Sequence, residues 1–368
     1  MPNRIQKRKL PKKKRIIPRS KRIVPKRTRI VRKHKPRARK RRDSAKVIRA
    51  APNWGERAFA AGCLAASAEI AETDPHKNVN LLWNQWYSSI RRLPWHTYHS
   101  TANKFIEGYC RHTGQNANKW VLIPTDKKVA VIVTAMNEQD TIPSILEQLR
   151  RLPLHEVIFV LNGSTDESFE IIRNQSGATI IHYHDALGHD VGRAIGAKLA
   201  ESDILLFLDG DFPVYAEHLV PFIEAVEQGM DLALNNITPY IGIFSDKDEV
   251  TVMKEFVNMS VERVDLEANS LTAVPHAMSK HAIQEIGYTN LSVPPKAQLI
   301  AMSKGLKVCA PTHVDVISRN RIRKQNLGNN NIVSEMIVGD HIEAIKQAIG
   351  GKGPRLTYPD HIRNRSKA

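Results

Sequence analysis

Two aspartates one residue apart, Asp209 and Asp211, close an apolar run, Ile204-Leu205-Leu206-Phe207-Leu208. An unbroken run of this length predicts a buried strand. Side chains alternate along extended chain, so both carboxylates fall on one side and can face one cation at the carboxyl end of a parallel sheet. Hard oxygen donors suit Mg²⁺ or Mn²⁺ rather than zinc. Asp-Gly-Asp is also an ordinary polar turn, so its weight depends on the elements that precede it.

Those elements read as three βα units. Val129 to Val133 is a β-branched run closing in Thr134-Ala135-Met136-Asn137-Glu138, followed by helical periodicity over 141–152 with Pro143 in the first turn. Val157 to Leu161 leads into Asn162-Gly163-Ser164-Thr165-Asp166 and a helix over 167–173. A third strand over 178–183 precedes a loop carrying Gly188 and a helix over 191–202 with Arg193 in its first turn. This alternation implies a doubly wound α/β fold, a mostly parallel sheet with flanking helices. Asn137 and Glu138, Asn162 to Asp166, Gly188 and Arg193, and Asp209 and Asp211 then converge on one crevice. A helix N-terminus, a glycine and an arginine beside two carboxylates make a site for a diphosphate with its divalent cation.

The segments Val-Ile-Val-Thr-Ala-Met-Asn-Glu138, Val-Leu-Asn-Gly-Ser-Thr-Asp166, Gly188 to Ala197 and Leu-Asp-Gly-Asp211 resemble the successive signatures of family 2 glycosyltransferases with the GT-A fold, the last being their DXD motif. The likeness covers roughly residues 127 to 240, and loosely reaches 325. It implies a transferase that uses a nucleotide-diphospho-sugar with Mn²⁺ or Mg²⁺. By that likeness Ala135, Asn137, Glu138, Asn162, Ser164, Asp166, Gly188, Arg193, Asp209 and Gly210 bind the donor, and Asp209 and Asp211 act at the catalytic centre. Asp211 then holds the metal with His313 as a further ligand, and Asp315 shares a strand face with His313. Asn269 to Ser279, with Thr272, Pro275 and His276, occupies the acceptor-binding position, and Arg319, Arg321 or Arg323 closes over the diphosphate.

Two departures stand out. Leu161 replaces an acidic residue often found in the family. Inverting members also place an acid at the start of a late helix, where this chain reads Val293-Pro294-Pro295-Lys296. The base that takes the acceptor's proton is therefore unassigned: it is Glu255, Asp265 or Glu267 on the preceding helix, or the transfer retains configuration without such a base, or the chain is inactive. A nucleotidyltransferase is the rival within enzymes, but Thr134 to Asp140 has neither the glycine nor the cation its phosphate loop needs. A rival of another class is a non-catalytic GT-A-like scaffold docked on a polyanionic assembly.

Charge divides sharply along the 368 residues. The net charge is +18, yet residues 1–42 contain 22 Lys and Arg and no acid, leaving 33 basic against 37 acidic residues beyond them. A seven-residue repeat there (Arg15-Ile-Ile-Pro, Arg22-Ile-Val-Pro, Arg29-Ile-Val-Arg) contains Pro18 and Pro25, which oppose a helix. Residues 1–45 are expected to be a disordered basic tail that binds a polyanion, whether nucleic acid, an anionic surface or an acidic polymer. Residues 50–122 read as a helical segment packing on a catalytic domain over 127–350, with a C-terminal tail over 351–368. Trp83, Trp86 and Trp95 are assigned to packing. Three scattered cysteines, Cys63, Cys110 and Cys309, suit a reducing cytoplasm. No apolar stretch reaches the roughly 20 residues of a membrane span, so a cytoplasmic protein is expected, associated with an anionic surface or assembly through the tail.

Overall fold

A computed structural model describes residues 53–368 apart from 69–72, 91, 117–118, 244, 246, 319–331, 365–366 and 368. The basic tail, and Arg319, Arg321 and Arg323, lie outside the described residues. Three helices come first: α1 (Trp54–Ala65), α2 (Pro75–Tyr87) and α3 (Trp95–Thr113). Asp74 caps α2, accepting from His76 N–H at 2.9 Å, and Gly114 ends α3 in the left-handed conformation. Their seam is aromatic. Trp83 is fully buried, stacks on Tyr87 and donates its indole N–H to Tyr98 Oη at 3.0 Å. Trp86 and Trp95 pack against the same core, which continues into the sheet.

The sheet follows from the apolar runs. β1 (Val129–Ala135), β2 (Glu156–Asn162), β3 (Thr179–Tyr183) and β4 (Ile204–Asp209) alternate with α4 (Ile142–Leu149), α5 (Ser168–Gln175) and α6 (Val191–Leu199). They pair in parallel, and the seven strands run in the order β3-β2-β1-β4-β6-β5-β7. After α7 (Ala216–Glu227) come β5 (Leu232–Asn235), α8 (Glu249–Ser260), β6 (His276–Ser279), α9 (Lys280–Ile286), α10 (Pro294–Ser303), β7 (Val308–Thr312) and α11 (Ile332–Lys352). The doubly wound, mostly parallel sheet with flanking helices is thus present. β6 is antiparallel to both β4 and β5, with Phe207 opposite His276.

Three local expectations are corrected. β4 ends at Asp209 and the chain bends through Gly210 and Asp211, so strict alternation does not carry past Asp209. α8 stops at Ser260, and Asp265 and Glu267 therefore do not ride on it. β7 ends at Thr312, so His313 and Asp315 do not share a strand face; Asp315 instead caps a turn, accepting from Ser318 N–H at 3.0 Å.

Candidate functional site

Strand register sets the floor of the crevice. Thr134 lies opposite Asp209, and its hydroxyl donates to Asp209 Oδ1 at 3.0 Å. Gly210 N–H donates to the Thr134 carbonyl at 2.8 Å. A Cβ at Gly210 would lie 2.6 Å from Ala135 Cβ, so only glycine lets the chain turn this close to β1. The Thr141 hydroxyl donates to the Gly210 carbonyl and fastens the start of α4 to the same turn.

α6 supplies the cation. Cβ atoms at Gly192 and Gly196 would meet Thr134 Cγ2 at 2.9 Å and Ile132 Cγ2 at 2.4 Å, so two glycines one helical turn apart seat this helix directly on β1. Arg193 is thereby buried behind the carboxylates. It forms an ion pair with Asp190 at 2.7 Å, donates to Asp209 at 3.2 Å and to the Leu271 carbonyl at 3.3 Å. Burial works against its charge, but Asp190 and Asp209 outweigh that effect and raise its pKa. Burial conversely raises the Asp190 carboxyl, and Arg193 only partly offsets this. Arg193 thus organises the carboxylates from behind, where the sequence suggested a direct contact with a diphosphate.

The loops after β1 and β2 are laced together. Asn137, at φ +57°, accepts from Thr165 N–H at 2.8 Å through Oδ1 and donates its own N–H to Ser164 Oγ at 3.1 Å. Glu138, buried, donates its N–H to Ser168 Oγ at 3.1 Å. Asp166 accepts from Gln139 N–H at 3.0 Å. Partial burial opposes ionisation of Asp166, but the Ser168 hydroxyl and the backbone donors prevail and lower its pKa. Asn162 reaches across to the β3–α6 loop, donating to the Gly188 carbonyl at 2.7 Å and accepting from Leu187 N–H at 2.6 Å. Four of the residues assigned to the donor, Asn137, Ser164, Asp166 and Asn162, therefore also shape the rim through bonds to neighbouring loops.

The remaining candidates lie elsewhere in the hydrogen-bond network. Glu255 pairs with Lys247, and Asp265 with Arg263 at 2.7 Å. Glu267, at φ +48°, offers its carbonyl to Asn258 Nδ2 at 2.8 Å. His313 Nδ1 lies 2.7 Å from Tyr240 Oη. His276 is buried, stacks on Phe207 and donates from Nδ1 to the Ala273 carbonyl at 3.1 Å. Burial first, then Arg193, lower its pKa to about 3, so it stays neutral.

Sequence reasoning missed Thr134, Asp190 and the segment that holds the Leu271 carbonyl. Gln298 on α10 accepts from Leu271 N–H at 2.8 Å and donates to Asn258 Oδ1 at 2.9 Å. Asn258 Nδ2 in turn donates to the Asn269 carbonyl at 3.1 Å. Asp190 stands three residues before Arg193, a spacing that was available as a signal. The amide network joins residues 29 and 40 positions apart, and no local pattern announces it.

The donor set fits a hard divalent cation. Among the described residues no group of three or more His, Cys, Asp or Glu could hold a metal ion. Two carboxylates at one bend suit a cation of the Mg²⁺ type, which binds through one or two carboxylates and completes its shell with water and phosphate oxygens. Asp209 already shares its oxygens with Thr134 and Arg193.

A family model described as glycosyl transferase family 2 matches residues 130–279, from the second residue of β1 to the end of β6. This segment is similar to that family. The chain is 27% identical over 169 residues to 4,4'-diaponeurosporenoate glycosyltransferase of Staphylococcus haemolyticus, an alignment covering 42% of this chain and 44% of that protein. It is 26% identical over 116 residues to undecaprenyl-phosphate 4-deoxy-4-formamido-L-arabinose transferase of Serratia proteamaculans, covering 29% of this chain and 36% of that one. The chain therefore spans less than half the length of either relative. Glucosyl-3-phosphoglycerate synthase of Mycobacterium tuberculosis, solved with Mn²⁺, UDP and phosphoglyceric acid, superposes with a TM-score of 0.45 at 16% identity, covering 64% of this chain and 80% of that one.

Proposed function

We propose that the chain is a metal-dependent transferase that moves a sugar from a nucleotide-diphospho-sugar to an acceptor still to be identified. The observation that carries this reading is the Thr134–Asp209–Arg193–Asp190 cluster, which fixes one carboxylate beside Asp211 at the carboxyl end of β4. Asp211 would hold Mn²⁺ or Mg²⁺, with His313 as a further ligand once its ring leaves Tyr240. A bound divalent cation would neutralise the leaving diphosphate. Asp209, held in one orientation by two donors, would meet the ribose side of the nucleotide, and Arg193 would place positive charge behind it. The loops carrying Ala135, Asn137, Glu138, Asn162, Ser164, Asp166, Gly188 and Gly210 would form the walls around the nucleotide. Because those loops are bonded to one another before any ligand arrives, little ordering cost would remain on binding.

The test is turnover of a panel of nucleotide sugars, followed as nucleoside diphosphate release with Mn²⁺ and with chelator. At least one donor should be consumed with Mn²⁺ and spared when the metal is removed. Release that ignores the metal, or none across the panel, would contradict the proposal.

A further inference from the structure

Residues 267–275 form a strap that leads into β6, and most of them are buried although they belong to no helix or strand. Buried backbone outside a ladder must find its hydrogen bonds among side chains. Three buried amides, Asn258, Asn269 and Gln298, answer that need. Asn258 on α8 donates from Nδ2 to the Glu267 carbonyl at 2.8 Å and to the Asn269 carbonyl at 3.1 Å. Gln298 on α10 donates from Nε2 to Asn258 Oδ1 at 2.9 Å and to the Asn269 carbonyl at 3.2 Å, and its Oε1 accepts from Leu271 N–H at 2.8 Å. Asn269 Oδ1 accepts from Ile237 N–H at 2.8 Å and ties the strap to the end of β5. Leu271 then offers its carbonyl to Arg193 Nη1 at 3.3 Å, and Arg193 Nη2 reaches Asp209 Oδ1 at 3.2 Å. A continuous path of contacts, through the backbone of Leu271, thus runs from Gln298 to the carboxylate at the end of β4.

We propose that Gln298 is a positioning residue of the donor site: it fixes the Leu271 carbonyl, and through that carbonyl the plane of the Arg193 guanidinium and the orientation of Asp209. The inference rests on the nucleotide-sugar reading, in which Asp209 and Arg193 meet the nucleotide. Asp190 and Asp209 hold Arg193 by charge. The Leu271 carbonyl is its neutral third acceptor, and that carbonyl is only as well placed as the strap that carries it. Gln298 grips the strap at this residue.

The position calls for an amide. Its oxygen accepts from Leu271 N–H while its nitrogen faces two acceptors, Asn258 Oδ1 and the Asn269 carbonyl. Asn258 cannot turn its own amide round to help, because Nδ2 is committed to two carbonyls. A glutamate of the same shape would keep the bond to Leu271 and set a carboxylate oxygen against those two acceptors. Burial and the facing oxygens both disfavour its charged form and raise its pKa, and protonation returns a donor to the network. The hydrogen-bond partners of Gln298 are all neutral amide groups, so the wild-type network contains no group that titrates. The first charged group along the path is Arg193, beyond Leu271.

The experiment uses the full chain and the diphosphates of uridine, guanosine, adenosine and cytidine, each titrated with Mn²⁺; the tightest binder is carried through the variants. At pH about 8, Gln298→Glu should bind it about 10-fold more weakly than the wild type, and at pH about 6 within about threefold of it. Comparison with the wild type at each pH cancels protonation of the nucleotide itself. Wild-type affinity in Gln298→Glu at both pH values overturns the inference alone. An equal loss at both, or a variant unfolded at pH about 6, also overturns it, because a purely structural role gives no recovery on protonation. Where Gln298→Glu folds only at the lower pH, Asn258→Ser decides at pH about 8 by removing the acceptor that orients Gln298: a loss of about threefold or more upholds the inference, and wild-type affinity overturns it. No binding of any of the four diphosphates by the wild-type protein overturns the donor site, and the inference with it.

Discussion

At the scale of single residues, the two acids at the end of β4, Asp209 and Asp211, have different surroundings. Asp209 receives a hydroxyl and a guanidinium, so much of its charge is answered within the protein. Asp211 sits past the strand end and is half-buried. A lysine at 193 would present one compact ammonium group in place of a planar fork serving Asp190, Asp209 and the Leu271 carbonyl together. Gly210 is equally constrained, because a methyl group there would overlap Ala135. The histidine assigned to the metal has a different partner, Tyr240. The acids suggested as bases, Glu255 and Asp265, are engaged by Lys247 and Arg263.

At the scale of elements, most of the sheet was legible because its strands are uninterrupted apolar runs. β1, β2 and β4 are buried on both faces, and Val129 to Val133, Ile158 to Leu161 and Ile204 to Leu208 announce that directly. β6 was not legible. Its four residues, His276 to Ser279, include one histidine and one serine, and they enter the sheet through pairing with β4 and β5 rather than through local preference. The end of α8 was misplaced because Val261 and Val264 extend its apolar spacing, whereas the helix gives way to a turn in which Glu262 takes φ +66°. The loops after β1, β2 and β3 do meet, as the alternating pattern implied. Their lacing was not legible, because a bond such as Gln139 N–H to Asp166 joins loops from separate βα units.

At the scale of the whole molecule, two properties reach beyond the site. The positive charge is concentrated in residues 1–42, and we propose that this segment carries a polyanion-binding function separable from the transferase body. Retention on heparin should fall steeply with salt and disappear when residues 1–42 are deleted, with donor turnover unchanged. Undiminished retention of the truncated protein would refute that. The second property is acid sensitivity. Burial holds His76, His276 and His341 at about 4, about 3 and about 4, against 6.5 for an ordinary histidine. The unfolded chain takes up protons at these positions below pH about 6.5 while the folded chain does not. Their contribution to stability is therefore complete above that value and is lost as pH falls through the folded values. Raised carboxyls such as Glu224 and Asp340 act in the opposite sense, but three imidazoles govern the range from about 6.5 to 5. The melting temperature should drop between pH 7.5 and pH 5; a constant or rising value would show that these rings are not held neutral.

The central claim is that Asp211 seats a divalent cation against the diphosphate of a sugar donor, and calorimetric titration of a nucleoside diphosphate into wild-type and Asp211→Ala protein tests it most directly. The wild-type chain should bind with Mn²⁺ and lose at least about 10-fold in affinity when the metal is chelated, and Asp211→Ala should bind equally weakly in both conditions. Equal, metal-stimulated affinity in the two proteins would contradict the account.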